Sequence, residues 1–459
     1  MVTQPPHLPR LALKRRINRL GAVALLAIAG AAAAADAAEP VTETLPNGIT
    51  LIVDAVPGGT HAAIVIQVDA GERDDPQGAS GMAHLVEHLM VTAASSQQPA
   101  GTAESFFQRY AGQATAQTAR SFSLYAGVFT ATAEQTAAEI AWWADRFGTL
   151  EITAADLARE VPRIDSELTN MRSWPHLAAP NLGQDRADPL APGHHRGGVI
   201  EHVRQITPGD ADAWRRAMYR GHAIIVSVAG AIDADPTLDA LREHFGALTF
   251  DDAPVAIPAP LPDPAHDAGP DAAGPEPLTF RVAQGRVEGT PYVASRTLRT
   301  PDLNDPAYPA FAVFMNRLFL RSSFARGNAT PHHPVLWQTL DNPRVWTIQQ
   351  PIPAPEAAAE TLDQLLRHTA ATPPAPIELE TTIQRLGAML GIVAPDPAAT
   401  RANPYNTAFV NARCHRTHAI RRGLAEQIRA VDADAWARFR DEVLPQLPAA
   451  DLIVIHPTE

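Results

Sequence analysis

His84-Leu85-Val86-Glu87-His88 decides how this chain is read. On a helix, side chains four residues apart share a face and lie about 6 Å apart along the axis. Two imidazoles so placed can reach one tetrahedral Zn²⁺, while Glu87, three residues after the first ring, points toward the same space. Zinc lowers the pKa of a bound water to about 7, and a carboxylate within hydrogen-bond reach can take its proton. A solvated pair of surface histidines fits the same five residues. A catalytic zinc usually takes three protein ligands, so a further donor must come from elsewhere.

A second segment offers one. Thr153-Ala154-Ala155-Asp156 reads as a helix start, with a hydroxyl cap and an acid three residues on. Leu157, Val161, Ile164, Leu168 and Met171 follow at spacings of four, three, four and three, which is an apolar face at helical period. Glu160 and Glu167 stand seven residues apart, close to two turns, and share a different face. Without the histidine motif, two such acids describe an ordinary solvated surface.

The order H-x-x-E-H reverses the commoner zincin motif and marks the inverzincins. With two glutamates seven apart several dozen residues downstream (Glu167 lies 79 positions past His88), the chain resembles the insulinase, pitrilysin and mitochondrial processing peptidase family of zinc metallopeptidases, in its short two-domain bacterial form. The text Arg159-Glu160-Val161-Pro162-Arg163-Ile164-Asp165-Ser166-Glu167 is similar to the insulinase branch. The resemblance implies that His84, His88 and Glu167 bind one Zn²⁺. It also implies that Glu87 is the catalytic general base and that Glu160 supports the ligands from behind.

The likeness extends along residues 41–250 and is loose beyond them. Leu45-Pro46-Asn47-Gly48 and Ile49 to Val53 resemble the family's opening turn and strand; Asn-Gly is a turn signal in its own right. Ile224 to Gly230 resembles the strand before the last helix of such a domain, and His244 to Leu248 that helix's end. The implied fold is α+β: two related domains, each a mainly antiparallel sheet with helices packed on one side. Residues 41–250 form the zinc-binding domain and 278–459 a non-catalytic partner domain. Residues 251–277, rich in Pro, Ala and Asp, read as a semi-rigid linker.

Length agrees, since 459 residues exceed one core, and 46% hydrophobic with 19% charged residues indicates a globular chain. One cysteine, Cys414, excludes an internal disulfide framework; beside His415 and His418 it still reads as a lone structural thiol. His332-His333, set between prolines, reads as loop. Residues 1–37 read as a cleaved signal peptide: basic Arg10, Lys14, Arg15, Arg16 and Arg19, an apolar run from Leu20 to Ala35, and Ala35-Asp36-Ala37 as cleavage signal. The apolar run is shorter than the ~20 residues that span a bilayer, so a periplasmic or secreted protein without a stable membrane anchor is expected. The segment carries five basic side chains and one acid, so its removal takes the formal charge from −13 to −17, which disfavours nucleic acid as a partner.

The substrate is expected to be an unfolded peptide bound as an added strand. Ser121-Phe122-Ser123-Leu124-Tyr125 alternates polar and apolar and is the candidate edge, although a buried strand alternates equally well. Just before it, the family carries Gly-Gly-x-x-Asn-Ala-x-Thr where this chain reads Gly112 to Thr118. That places Thr115 and Ala116 as substrate-binding residues, with Thr115 standing for the family's asparagine. Pro162 is expected to kink the helix that carries Glu167. The family also sets an arginine and, seven residues on, a tyrosine against the substrate carbonyl. Asp341 and Trp346 fall in that region, and Arg344 does not restore the spacing. The resemblance therefore implies a dimer that closes a chamber, either with a related zinc-less subunit supplying the Arg/Tyr pair or as a homodimer. The alternative is a catalytically silent scaffold or core subunit of the same family.

Overall fold

The computed structural model describes residues 39–56, 58–173, 197–250, 278–281, 292–301, 305–321, 335–337, 345–390, 403–421 and 423–455. The proposed signal peptide, the linker 251–277, His332-His333, Asp341 and Arg344 lie outside the described residues, as do the side chains of Cys414 and His418.

Six strands form the first sheet: β1 (Val41–Thr44), β2 (Thr50–Ala55), β3 (His61–Val68), β4 (Ala114–Thr118), β5 (Ser123–Thr130) and β6 (Ile224–Gly230), in the order β1-β2-β6-β3-β5-β4. Only β2 and β6 pair in parallel; the other neighbours are antiparallel. Between and after the strands run α1 (Met82–Thr92), α2 (Ala103–Arg109), α3 (Ala133–Thr149), α4 (Ala154–Ser173), α5 (Ile200–Val203), α6 (Pro208–Met218) and α7 (Ala234–Gly246). A second sheet comprises β7 (Leu278–Arg281), β8 (Tyr292–Arg299), β9 (Val335–Trp337), β10 (Val345–Ile352) and β11 (Pro448–Ile455) in the order β7-β11-β8-β10-β9. Its helices are α8 (Tyr308–Arg321), α9 (Ala358–Ala370), α10 (Pro376–Leu390), α11 (Pro404–Arg421), α12 (Leu424–Arg429) and α13 (Ala433–Arg438).

The second sheet repeats the topology of the first. In each, a first strand pairs in parallel with the last, followed in space by the second, fourth and third, all antiparallel. Only β1 lacks a counterpart among the described residues.

The period of two along the central strands divides the first sheet into two buried faces. Leu51, Val53, Ile64, Ile66, Val226 and Val228 face the helices that carry Leu85, Leu89, Trp143, Ile164, Trp214 and Phe245. The intervening Ile52, Ala63, Val65, Ile225 and Ala229 pack against Ala408 and Ala412 of α11. Small residues at i and i+4 let that helix approach the strands closely, and Asn411 Nδ2 donates to Asp54 at 3.0 Å. A helix from the second half of the chain thus covers the far face of the first sheet, so helices lie on both sides of it.

One expectation needs revision. Strand β5 begins at Ser123 and lies between β3 and β4, so Ser121 to Tyr125 is not the sheet's edge. The edge is β4, a half-buried strand in which only Ala114 and Ala116 pack on the core. Pro162 sits inside α4, which runs as one helix from Ala154 to Ser173. The pyrrolidine removes the bond to the Ala158 carbonyl without ending the helix. Trp346 is buried in β10 against Phe311 and belongs to the second core.

Candidate metal centre

Helix α1 is fixed at its start by backbone contacts. Asp75, upstream in the chain, accepts from the Gly81 N–H at 2.6 Å and the Ala83 N–H at 2.8 Å, capping donors that the helix leaves open. Gly81 has φ +106° and Gly198 φ +107°; a Cβ on Gly198 would stand 2.4 Å from Gly81 Cα. The two backbones touch there, and no side chain fits between them. Almost all of α1 is buried, His84 and Glu87 included.

That contact brings the Gly197 carbonyl to His84, whose Nδ1–H donates to it at 2.8 Å. On His88, Nδ1–H donates to Glu160 Oε2 at 3.2 Å. With Nδ1 committed on both rings, both Nε2 atoms turn to the same space. Glu167 Oε2 lies 3.4 Å from His84 Nε2 and 3.5 Å from His88 Nε2. The ring centroids are 4.9 Å apart, and one donor atom from each of the three residues lies within 4.8 Å of the others. Two imidazoles and a carboxylate converging on one point, each ring backed by an acceptor, are the donor chemistry that suits zinc, so the residues fit that ion.

Helix α4 delivers both glutamates. Its start is capped as expected: Asp156 N–H donates to Thr153 Oγ1 at 3.3 Å, and Thr153 N–H to Asp156 Oδ2 at 2.9 Å. Ile164 and Leu168 are buried in the core, each contributing roughly 1.5–3 kcal/mol, and hold the glutamate face toward α1. Glu160 is fully buried, and Arg159 bridges it to Asp156 with contacts of 2.9 and 2.7 Å. Burial raises the Glu160 pKa, but His88 and Arg159 outweigh it and hold the carboxyl below its usual value. Glu167, open to solvent on one side, is held well below the usual carboxylate range, because His84 and His88 outweigh its desolvation.

The imidazoles respond in the opposite sense. Desolvation pulls both down, yet Glu167 lifts His84, and Glu160 with Glu167 pushes His88 up to about 10. Without a cation His88 holds a proton at neutral pH. Binding a divalent metal must displace it, so affinity rises with pH toward about 10 and loading releases a proton. Zinc titrations in two buffers of different ionisation enthalpy are expected to show that release; a buffer-independent heat contradicts it.

Glu160→Gln keeps an oxygen for the His88 N–H and removes the charge. A loss of about 10–100-fold in zinc affinity is expected, read by competition with a chelator.

Thr115 and Ala116 lie on β4, opposite Ala126 and Tyr125 of β5. This edge strand runs beside α1: Thr118 Oγ1 donates to the Ala83 carbonyl at 3.3 Å. The sequence reading overlooked the Gly197 carbonyl and Arg159. The first is a backbone group with no residue signature; the second stood in the quoted segment, but its reach to Glu160 and Asp156 shows only in three dimensions.

Residues 51–187 match the family model described as Insulinase (Peptidase family M16). The beta subunit of the mitochondrial-processing peptidase of Saccharomyces cerevisiae is 24% identical over 219 residues, covering 48% of this chain and 47% of the relative. An uncharacterized zinc protease of Mycobacterium leprae is 25% identical over 208 residues, covering 44% and 45%. The chain thus spans about half the length of the curated relatives it matches. A protease from Helicobacter pylori has a similar fold, with a TM-score of 0.68 at 16% identity, covering 92% of this chain and 100% of that one.

Proposed function

Because this chain is related to the insulinase-type (M16) peptidases, we propose that it is a zinc-dependent endopeptidase acting on unfolded peptides or small polypeptides. The observation that carries this reading is the convergence of His84, His88 and Glu167 beside Glu87. His84, His88 and Glu167 would hold the ion, with Glu160 and the Gly197 carbonyl keeping the two rings in register. Zinc, when bound there, supplies Lewis acidity toward a peptide carbonyl and acidifies water. Glu87 then accepts the proton of the attacking water and passes it to the leaving amine nitrogen. The peptide pairs with β4 along Thr115 and Ala116, using main-chain hydrogen bonds that tolerate many side chains. The low-dielectric walls around α1 strengthen the interactions of Glu87 with the reacting groups.

The chain is read as two domains, 41–250 and 278–459, joined by 251–277. The repeated sheet topology supports that division. Residues 1–37 are read as an export signal to the periplasm or exterior. No helix among the described residues is long and apolar enough to cross a membrane. The electrophilic Arg/Tyr pair is proposed to come from a related zinc-less subunit across a closed chamber. The test is hydrolysis of an unstructured peptide by the purified chain alone and with proteins that co-purify with it, together with its zinc content. Full activity of the isolated chain removes the partner, and a chain that takes up zinc yet stays inert with every co-purifying protein leaves the scaffold reading.

A further inference from the structure

His84 is oriented by a peptide group that is itself held by an acid outside the H-x-x-E-H motif. Glu72 lies in the short turn Glu72–Asp74 and is 5% exposed. Its Oε1 accepts from the Gly197 N–H at 2.7 Å, while the carbonyl of the same Gly197 accepts from His84 Nδ1 at 2.8 Å. One glycine thus carries Glu72 on its amide and His84 on its carbonyl. The other oxygen of Glu72 stands 3.6 Å from the guanidinium of Arg120, which is also buried.

The turn is tied to the edge strand as well. The Glu72 N–H donates to the Ala119 carbonyl at 3.0 Å, and the Arg73 N–H to the Arg120 carbonyl at 2.9 Å. Residues 119–120 follow directly on β4, the strand that runs beside α1. Gly71 makes the approach possible, because a Cβ there would stand 2.3 Å from the Ala119 oxygen. A buried ion pair is by itself weak support for a stabilising role, since desolvating both charges offsets their attraction. What sets this pair apart is where its carboxylate points: at the peptide that presents an acceptor to a metal-binding ring.

We infer that Glu72, clamped by Arg120, is a positioning residue for His84: it fixes the Gly197 peptide and with it the direction of His84 Nε2, and links that ring to the end of β4. This rests on the zinc reading above. The test uses the full chain with Zn²⁺, with affinity taken from chelator competition, and with Co²⁺ as a spectroscopic replacement. Glu72→Ala removes both the acceptor and the charge and is expected to weaken zinc binding about 10–100-fold and to shift the visible Co²⁺ bands. Glu72→Gln keeps an acceptor for Gly197 and loses only the charge, so it falls between Glu72→Ala and wild type. Arg73→Ala, in the same turn, stays at wild type. Wild-type affinity and Co²⁺ spectrum in Glu72→Ala overturn the inference even if that variant melts earlier. Should Glu72→Ala not fold, the same result in Glu72→Gln overturns it. A His84→Ala loss of zinc without a Glu72 effect leaves the zinc reading standing and removes this inference alone. A wild-type chain that takes up no zinc removes both.

Discussion

Glu87→Gln is expected to leave the zinc content of the purified chain unchanged while lowering kcat on an unstructured peptide by about 10²–10⁴-fold. The two halves of this expectation come from different features of the site. Glu87 is not among the three residues whose donor atoms converge, so replacing it removes no ligand. It does stand one residue before His88 on a helix whose Leu85, Val86 and Leu89 are all in the core, so its backbone is held beside the converging donors. Glutamine fills the same volume and still forms hydrogen bonds, but it has no site for the proton of an attacking water. The loss corresponds to roughly 3–5.5 kcal/mol of transition-state stabilisation. Activity and metal content measured on the same sample separate the outcomes. Loss of zinc on this substitution would make Glu87 a ligand, and an unchanged rate would remove it as the base.

How much of this site could be read in the chain differs from residue to residue. The cap at Thr153 and the apolar period from Leu157 onward placed α4 correctly, because capping and helical period are local properties. The strand at Ile224 to Gly230, expected from the family resemblance, is present over those same residues. The edge strand was misplaced by several residues. Ala114 to Thr118 are half-buried and put only two alanines toward the core, so their alternation is faint, whereas β5 is buried on both faces and its alternation said nothing about position in the sheet. The cover on the sheet's far face was out of reach for another reason. Ala408 and Ala412 make a close helix approach possible, but nothing local tells a helix at 404–421 to pack on strands more than 170 residues earlier. The three converging donors were legible because the chemistry they suit needs particular side chains at particular spacings. Of their supports, Glu160 was named from the sequence, but the chain behind His84 was not: it runs through a glycine carbonyl to Glu72, an acid with no motif around it.

Glu167→Gln provides the strongest check on the convergence itself, because this side chain is open to solvent and its replacement leaves the packed face of α4 untouched. With two neutral imidazoles and one carboxylate, a bound zinc carries a net charge of +1; the amide raises that to +2 and is a poorer donor. Zinc affinity is expected to fall by more than the roughly 100-fold that marks loss of a supporting group, and peptide hydrolysis to fall with it. A second readout needs no metal. Glu167 raises the pKa of both imidazoles in the cation-free chain, so its neutral replacement must let both titrate lower, His84 more freely than His88, which keeps Glu160. Proton NMR of the two rings in the zinc-free variant measures this directly. Weaker zinc binding together with a downward shift of both rings means that Glu167 faces the pair, as the geometry requires. Unchanged ring titrations would place its carboxylate away from the imidazoles in solution, and the three-donor site would no longer hold.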